Sequence, residues 1–161
     1  MGGELWVASA EGVHVLSRAK DGKWSKRRIG EGKPGEIKVG RAGGKRRIAA
    51  VEPWHGQSVV IYDEESPVWK RSVIESSLAE AHALGWGDFD GDKDDELVVG
   101  WRGKPWGLAL YKLVNGAWTK TPIDDGVAVE DLAVADLNGD GRPEIIAGGR
   151  ATQNIRIYWA N

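Results

Sequence analysis

Apolar and polar positions alternate along most of this chain. SVVIYD (Ser58 to Asp63), LALYKL (Leu108 to Leu113) and IRIYWA (Ile155 to Ala160) put an apolar side chain on every second residue. VHVLSR (Val13 to Arg18) does so more loosely. That period of two is the mark of a strand with one face buried. RIAAVE (Arg47 to Glu52), ELVVGW (Glu96 to Trp101) and EIIAGG (Glu144 to Gly149) are nearly continuous apolar runs, with ELWVAS (Glu4 to Ser9) a weaker member. Runs of that length fit strands buried on both faces. No stretch keeps helical spacing for the 10 to 12 residues a helix needs. The most helix-like segment, ESSLAEAHA at 75–83, is predicted to connect two strands.

These segments recur at a fixed period. WSKRRI, WKRSVI and WTKTPI each carry a tryptophan five residues before an isoleucine: Trp24 and Ile29, Trp69 and Ile74, Trp118 and Ile123. The two apolar runs ELVVGW and EIIAGG recur in the same frame. A further strand opens the period, as HALGWGDF (82–89), LAVADL (132–137) and IKVGRA (37–42). With strands A, B, C and D named in that order, each period holds four short strands in about 45 to 49 residues. This is the blade of a β-propeller. The predicted fold class is therefore all-β, with four-stranded antiparallel blades at about 4–31, 36–75, 80–124 and 127–161. The chain opens on a B strand and ends on a C strand, giving about 3.4 blades, or half a propeller. Two closures follow. One is a tight four-bladed ring within one chain. The other, the favoured one, is a head-to-tail homodimer closing a ring of eight partial or complete blades.

The A–B junctions carry the sharpest chemistry. DFDGDKDDE sets Asp88, Asp90, Asp92, Asp94 and Glu96 at positions 1, 3, 5, 7 and 9 of a loop. DLNGDGRPE sets Asp136, Asn138, Asp140, Arg142 and Glu144 at the same positions. Alternating oxygen side chains on a glycine-kinked loop converge inward, and Ca²⁺ takes six to eight oxygens. Position 7 offers its backbone carbonyl, so Asp94 and Arg142 can differ there. An EF-hand needs a bidentate glutamate at position 12; here Val99 and Ala147 stand there, and both loops run into a strand.

On these residues the chain resembles the FG-GAP or VCBS calcium-repeat propellers. The resemblance implies two structural Ca²⁺ sites, because the blade at 36–75 has AGGKRR (Ala42 to Arg47) where the acids would be. It also implies a secreted or periplasmic setting, although no signal peptide is seen in this chain. The closing stretch, VEDLAVADLNGDGRPEIIAGGRATQNIRIYW, is similar to bacterial propellers of the aldos-2-ulose dehydratase type. That likeness implies a sugar-processing lyase or dehydratase, with His55, His82, Arg102, Glu130 and Arg150 as the residues to suspect.

Composition narrows the rest. Of 161 residues, 23 are glycine and 9 tryptophan, and none is cysteine. Disulfides, thiolate metal sites and cysteine nucleophiles are thus excluded. The net charge of −2 hides a basic first half and an acidic second half, whose carboxylates crowd into the two loops. No apolar run is long enough for a membrane span. The net charge and strand character of the basic patches argue against nucleic acid. No nucleophile elbow, HExxH or phosphate loop is present, so the reading leans to a non-catalytic module that binds carbohydrate or protein, with a purely structural propeller fragment as a further alternative beside the sugar-processing enzyme. The candidate ligand residues lie in the B–C loops: Trp54, His55, Arg102, Trp106 and Arg150. His82 and Glu130, at the starts of A strands, face the same end. Trp24, Trp69 and Trp118 read as repeated packing residues.

Overall fold

The computed structural model describes residues 3–65 and 68–160. Asn161, the outer bound of the last predicted blade, and Ser66 and Pro67 within the second lie outside the described residues. Fourteen strands and no helix make up the rest: β1 (Glu4–Ser9), β2 (Gly12–Arg18), β3 (Trp24–Gly30), β4 (Glu36–Ala42), β5 (Lys45–Glu52), β6 (Ser58–Glu65), β7 (Val68–Glu75), β8 (Ala81–Gly87), β9 (Glu96–Trp101), β10 (Gly107–Val114), β11 (Ala117–Asp124), β12 (Val129–Ala135), β13 (Glu144–Gly149) and β14 (Asn154–Tyr158). They form four antiparallel sheets: β1-β2-β3, β4-β5-β6-β7, β8-β9-β10-β11 and β12-β13-β14. Neighbours in sequence are neighbours in space throughout, so each sheet is a run of hairpins. The β10–β11 turn is Asn115–Gly116, both at positive φ (51° and 82°). That is the pair a two-residue hairpin favours.

The sheets share one register. A bulge interrupts the third-to-fourth strand pairing at Val13/His14, Val59/Val60 and Leu108/Ala109. Aligned on it, β1 packs on β4 as β5 packs on β8 and β9 on β12. The first sheet therefore lacks an A strand and the last lacks a D strand. Two boundaries differ from the sequence expectation. β8 and β12 stop at Gly87 and Ala135, before the acids, because Asp88 and Asp136 accept backbone N–H groups from the loops and turn the chain out of the sheet. The helix-like 75–83 stretch holds no helix: β7 ends at Glu75 and β8 begins at Ala81.

Burial is concentrated between sheets. Val13, Ile48, Ala50, Val60 and Tyr62 fill the first junction, with Trp6 and Trp69 against them. Ala49, Val51, Val59, Ile61, Leu84, Leu97, Val99 and Tyr111 are among those filling the second. Ala83, Val98, Leu108, Val129, Ile145 and Ala147 belong to the third. Gly40 of β4 leaves room for the Trp86 ring of β8; a Cβ there would lie 2.3 Å from it.

At two junctions a tyrosine bonds a half-buried carboxylate of the sheet before it. Tyr111 donates to Glu75 Oε2 at 3.0 Å, and Tyr158 donates to Asp124 Oδ2 at 2.5 Å. Glu75 and Asp124 end the D strands of the preceding sheets. At the first junction Gly30 holds the equivalent position, and Tyr62 fills the space it leaves. Tyr62 turns instead to Glu52 of its own sheet, 2.5 Å away, which Arg71 also grips at 2.7 Å.

The outer faces of the end sheets break the pattern of burial. Leu5, Val7 and Trp24 are exposed on the first sheet, and Ile155, Ile157 and Trp159 on the last. Leu5 stands where Ile48 and Leu97 are fully buried, and Val7 where Ala50 and Val99 are. Ile155, 76% exposed, stands where Leu108 is fully buried. Trp24 is 50% exposed, whereas Trp69 packs edge-on against Trp6 of the preceding sheet at 5.6 Å and Trp118 lies under the Arg47 guanidinium of the preceding sheet at 5.9 Å. The repeated tryptophan thus packs only where a preceding sheet exists.

Candidate functional site

The two acidic loops have one internal scaffold. Asp88 accepts the N–H groups of Gly91 (2.7 Å) and Lys93 (2.9 Å); Asp136 accepts those of Gly139 (2.7 Å) and Gly141 (3.0 Å). Asp90 Oδ1 and Asn138 Oδ1 accept from Asp92 and Asp140, which in turn accept from Asp94 and Arg142. Glu96 Oε2 accepts from Phe89 at 3.0 Å and Glu144 Oε2 from Leu137 at 2.8 Å. Each glutamate is buried at the base of its loop, 1% and 0% exposed. Gly91 and Gly139, at φ of 81° and 77°, make the turn that lets the side chains converge. Carboxylate oxygens of Asp88, Asp90 and Glu96 lie within 4.8 Å of one another.

The contents of the loops differ. In the first, the Lys112 ammonium from β10 donates to Asp92 Oδ2 at 2.7 Å, to Glu96 Oε1 at 3.0 Å and to Asp90 Oδ2. Those carboxylates, Asp90 and Asp92 foremost, hold the Lys112 amine protonated well above its usual range. Burial pushes the Glu96 carboxyl up, against the pull of Lys112 and the Phe89 N–H. Asp94 and Asp95 are engaged outward: Asp94 accepts the N–H of Gly44, and Asp95 that of Arg41, both on the β4–β5 hairpin. In the second loop, Trp159 follows Tyr158 where Lys112 follows Tyr111, so an indole replaces the ammonium. There Glu144 Oε1 is buried with no hydrogen-bond partner. Asp136, Asn138, Asp140 and Glu144 with the Arg142 carbonyl offer oxygen donors only, and the orphaned Glu144 oxygen fits a hard divalent cation, although among the described residues it is Asp88, Asp90 and Glu96, in the loop that Lys112 enters, that bring three carboxylates within 4.8 Å.

The loops at the opposite ends of these strands gather a polar network. Arg102 donates to Glu130 Oε1 at 2.8 Å and to Glu80 Oε2 at 3.1 Å, and lies 2.9 Å from His55 Nδ1. The His82 ring nitrogen is 2.7 Å from the Glu130 carbonyl, and the His55 and His82 imidazoles lie 4.6 Å apart, tilted by 47°. Burial first, then the neighbouring Arg102 and His82 charges, lowers the His55 pKa and keeps that ring neutral. Arg102 itself is kept charged by Glu130 and Glu80 against its burial. Trp54 extends the ring cluster, 5.4 Å from His55, and is largely exposed. Arg150 approaches Glu130 at 3.8 Å with an open side chain. Trp106 lies apart from this cluster in contact terms, under Lys104 at 4.8 Å. The structure thus brings together Trp54, His55, His82, Arg102, Glu130 and Arg150 from three sheets. Glu80 was missed by the sequence reading, as was Lys112; the signal for Lys112 was one cation in a strand position that carries tryptophan in the next repeat.

The FG-GAP-like repeat family model matches residues 88–147, from the first residue of the first acidic loop into β13. A comparison with curated proteins gives no match.

Proposed function

We propose that the chain is a calcium-supported propeller module that works by binding and assembly. Its first sheet joins the last sheet of a second copy, and its last the first, to complete a ring, and its B–C loop face receives the ligand. One observation carries this reading: Leu5, Val7 and Ile155, exposed on the two end faces, stand at repeat positions that are buried at every internal junction. Each end face is half of an interface whose other half is present at the opposite end of the chain. A second copy, turned about a two-fold axis, supplies both missing halves at once. Exposed apolar patches of this kind mark association surfaces, and a standard interface buries roughly 800 Å² per partner. Calcium supports the arrangement by neutralising acidic loop charge between the inner strands.

Light scattering decides the assembly. A particle near 35 kDa, twice the 17.5 kDa chain, supports it; a stable 17.5 kDa species at micromolar concentration refutes it. Ile155→Lys should convert the larger particle to the smaller.

A second reading, a lyase or dehydratase acting on oxidised sugars, is favoured by the meeting of His55, His82, Arg102 and Glu130 in one network. Two imidazoles beside a carboxylate and a guanidinium are groups able to move a proton next to a carbonyl. Its test is turnover of keto-sugars, lost in Arg102→Ala. Binding of a glycan without turnover favours the module.

A further inference from the structure

The acidic loops share one scaffold, and the side chain that reaches into each from the neighbouring strand separates their chemistry. In the loop at 88–96 both oxygens of the buried glutamate are satisfied: Glu96 Oε2 by the Phe89 N–H, Glu96 Oε1 by the Lys112 ammonium. The same ammonium bonds Asp90 and Asp92, the side chains at positions 3 and 5. A protein cation therefore stands among the oxygens that a metal ion would need. In the loop at 136–144 the corresponding Glu144 Oε2 takes the Leu137 N–H, and Glu144 Oε1 is left buried and unpaired. Burying a carboxylate oxygen without a partner costs far more than a typical hydrogen bond returns. The side chain in the lysine's place is Trp159, which carries no charge.

We propose that the chain holds one divalent cation, in the loop at 136–144, and that the Lys112 ammonium replaces the second ion in the loop at 88–96. This rests on the calcium reading above and halves the number of ions expected from the sequence. Sheet three is then held together without metal at its A–B loop, which also clasps the β4–β5 hairpin through Asp94 and Asp95. Metal dependence is confined to the last sheet. Lys112 is a positioning residue toward loop 88–96, and Glu144 a ligand in loop 136–144.

Titrating the full chain with calcium chloride in a calorimeter, after chelator treatment, tests the assignment. One ion per chain is expected, lost in Glu144→Gln and retained in Asp90→Asn. In Lys112→Met a second ion should appear, and the circular dichroism melting curve of that variant should become more calcium-dependent than that of the parent. Because Glu144→Gln keeps the shape and can still accept the Leu137 N–H, loss of the ion with an intact spectrum is the expected pattern. Asp136→Asn serves as a second variant should Glu144→Gln fail to fold. Two ions in the parent chain overturn the proposal while leaving the calcium reading standing. So does one ion that survives Glu144→Gln and is lost in Asp90→Asn. No bound ion at all overturns both.

Discussion

Glu75 shows how single groups tie the sheets. Its carboxylate ends β7, accepts the Tyr111 hydroxyl at 3.0 Å, and takes Lys120 Nζ at 2.7 Å. Burial favours its neutral form, but hydrogen bonds from Lys120, the Ser77 hydroxyl and the Ser76 and Ser77 N–H groups outweigh this. They hold its pKa at about 2. An unfolded glutamate titrates near ~4.3. The carboxylate therefore stabilises the fold fully above about pH 4.5, and that share is lost as pH falls toward 2. Melting temperatures between pH 5 and 2.5 should fall more steeply in the parent than in Glu75→Gln; parallel curves would remove Glu75 from the account. Tyr111→Phe removes one hydrogen bond to a charged group and should cost roughly 1.5–3 kcal/mol in urea unfolding. Trp118→Ala, at a half-buried junction position beside Trp86, should cost ~3 kcal/mol. Trp24→Ala should cost much less in the monomeric state, because no sheet precedes it.

At the scale of strands and loops, alternation and the tryptophan frame were enough to place the four kinds of strand, because each blade repeats the same inward and outward sequence. What the frame could not supply was difference between copies. Trp24, Trp69 and Trp118 read alike, yet their burial depends on whether a neighbouring sheet covers them. The acidic loops read alike too, since the residue that separates them, Lys112, comes from β10, sixteen positions after Glu96. The network around Arg102 was legible only in part. His55, Arg102 and Glu130 belong to separate repeats, and only the closeness of the strand ends brings them within hydrogen-bond reach. Calcium at 100 times its dissociation constant adds about 2.7 kcal/mol per site that binds only the folded state. For a domain of this size that is a melting shift of roughly 5–10 °C. A melting curve indifferent to chelator would remove calcium from the account.

For the whole molecule, the proposed pairing of the open faces predicts a stability that depends on concentration. If the ends are satisfied by a second copy, the melting temperature should rise with protein concentration, and Ile155→Lys should abolish that rise; a concentration-independent curve for the parent would argue for a self-sufficient monomer. The tyrosine ties add a directional property. Tyr62 and its carboxylate Glu52 sit in one sheet, so the first junction can part without stranding either. Asp124, by contrast, receives Tyr158 and Arg156 from across its junction. The molecule is thus detachable at one end and riveted at the other. A deletion of the first sheet opens the Arg46–Glu4 pair but leaves every remaining tyrosine tie closed, while a deletion of the last leaves the half-buried Asp124 without its phenol. Growth or shrinkage of such a repeat array by gain and loss of blades would be tolerated at its front and resisted at its back.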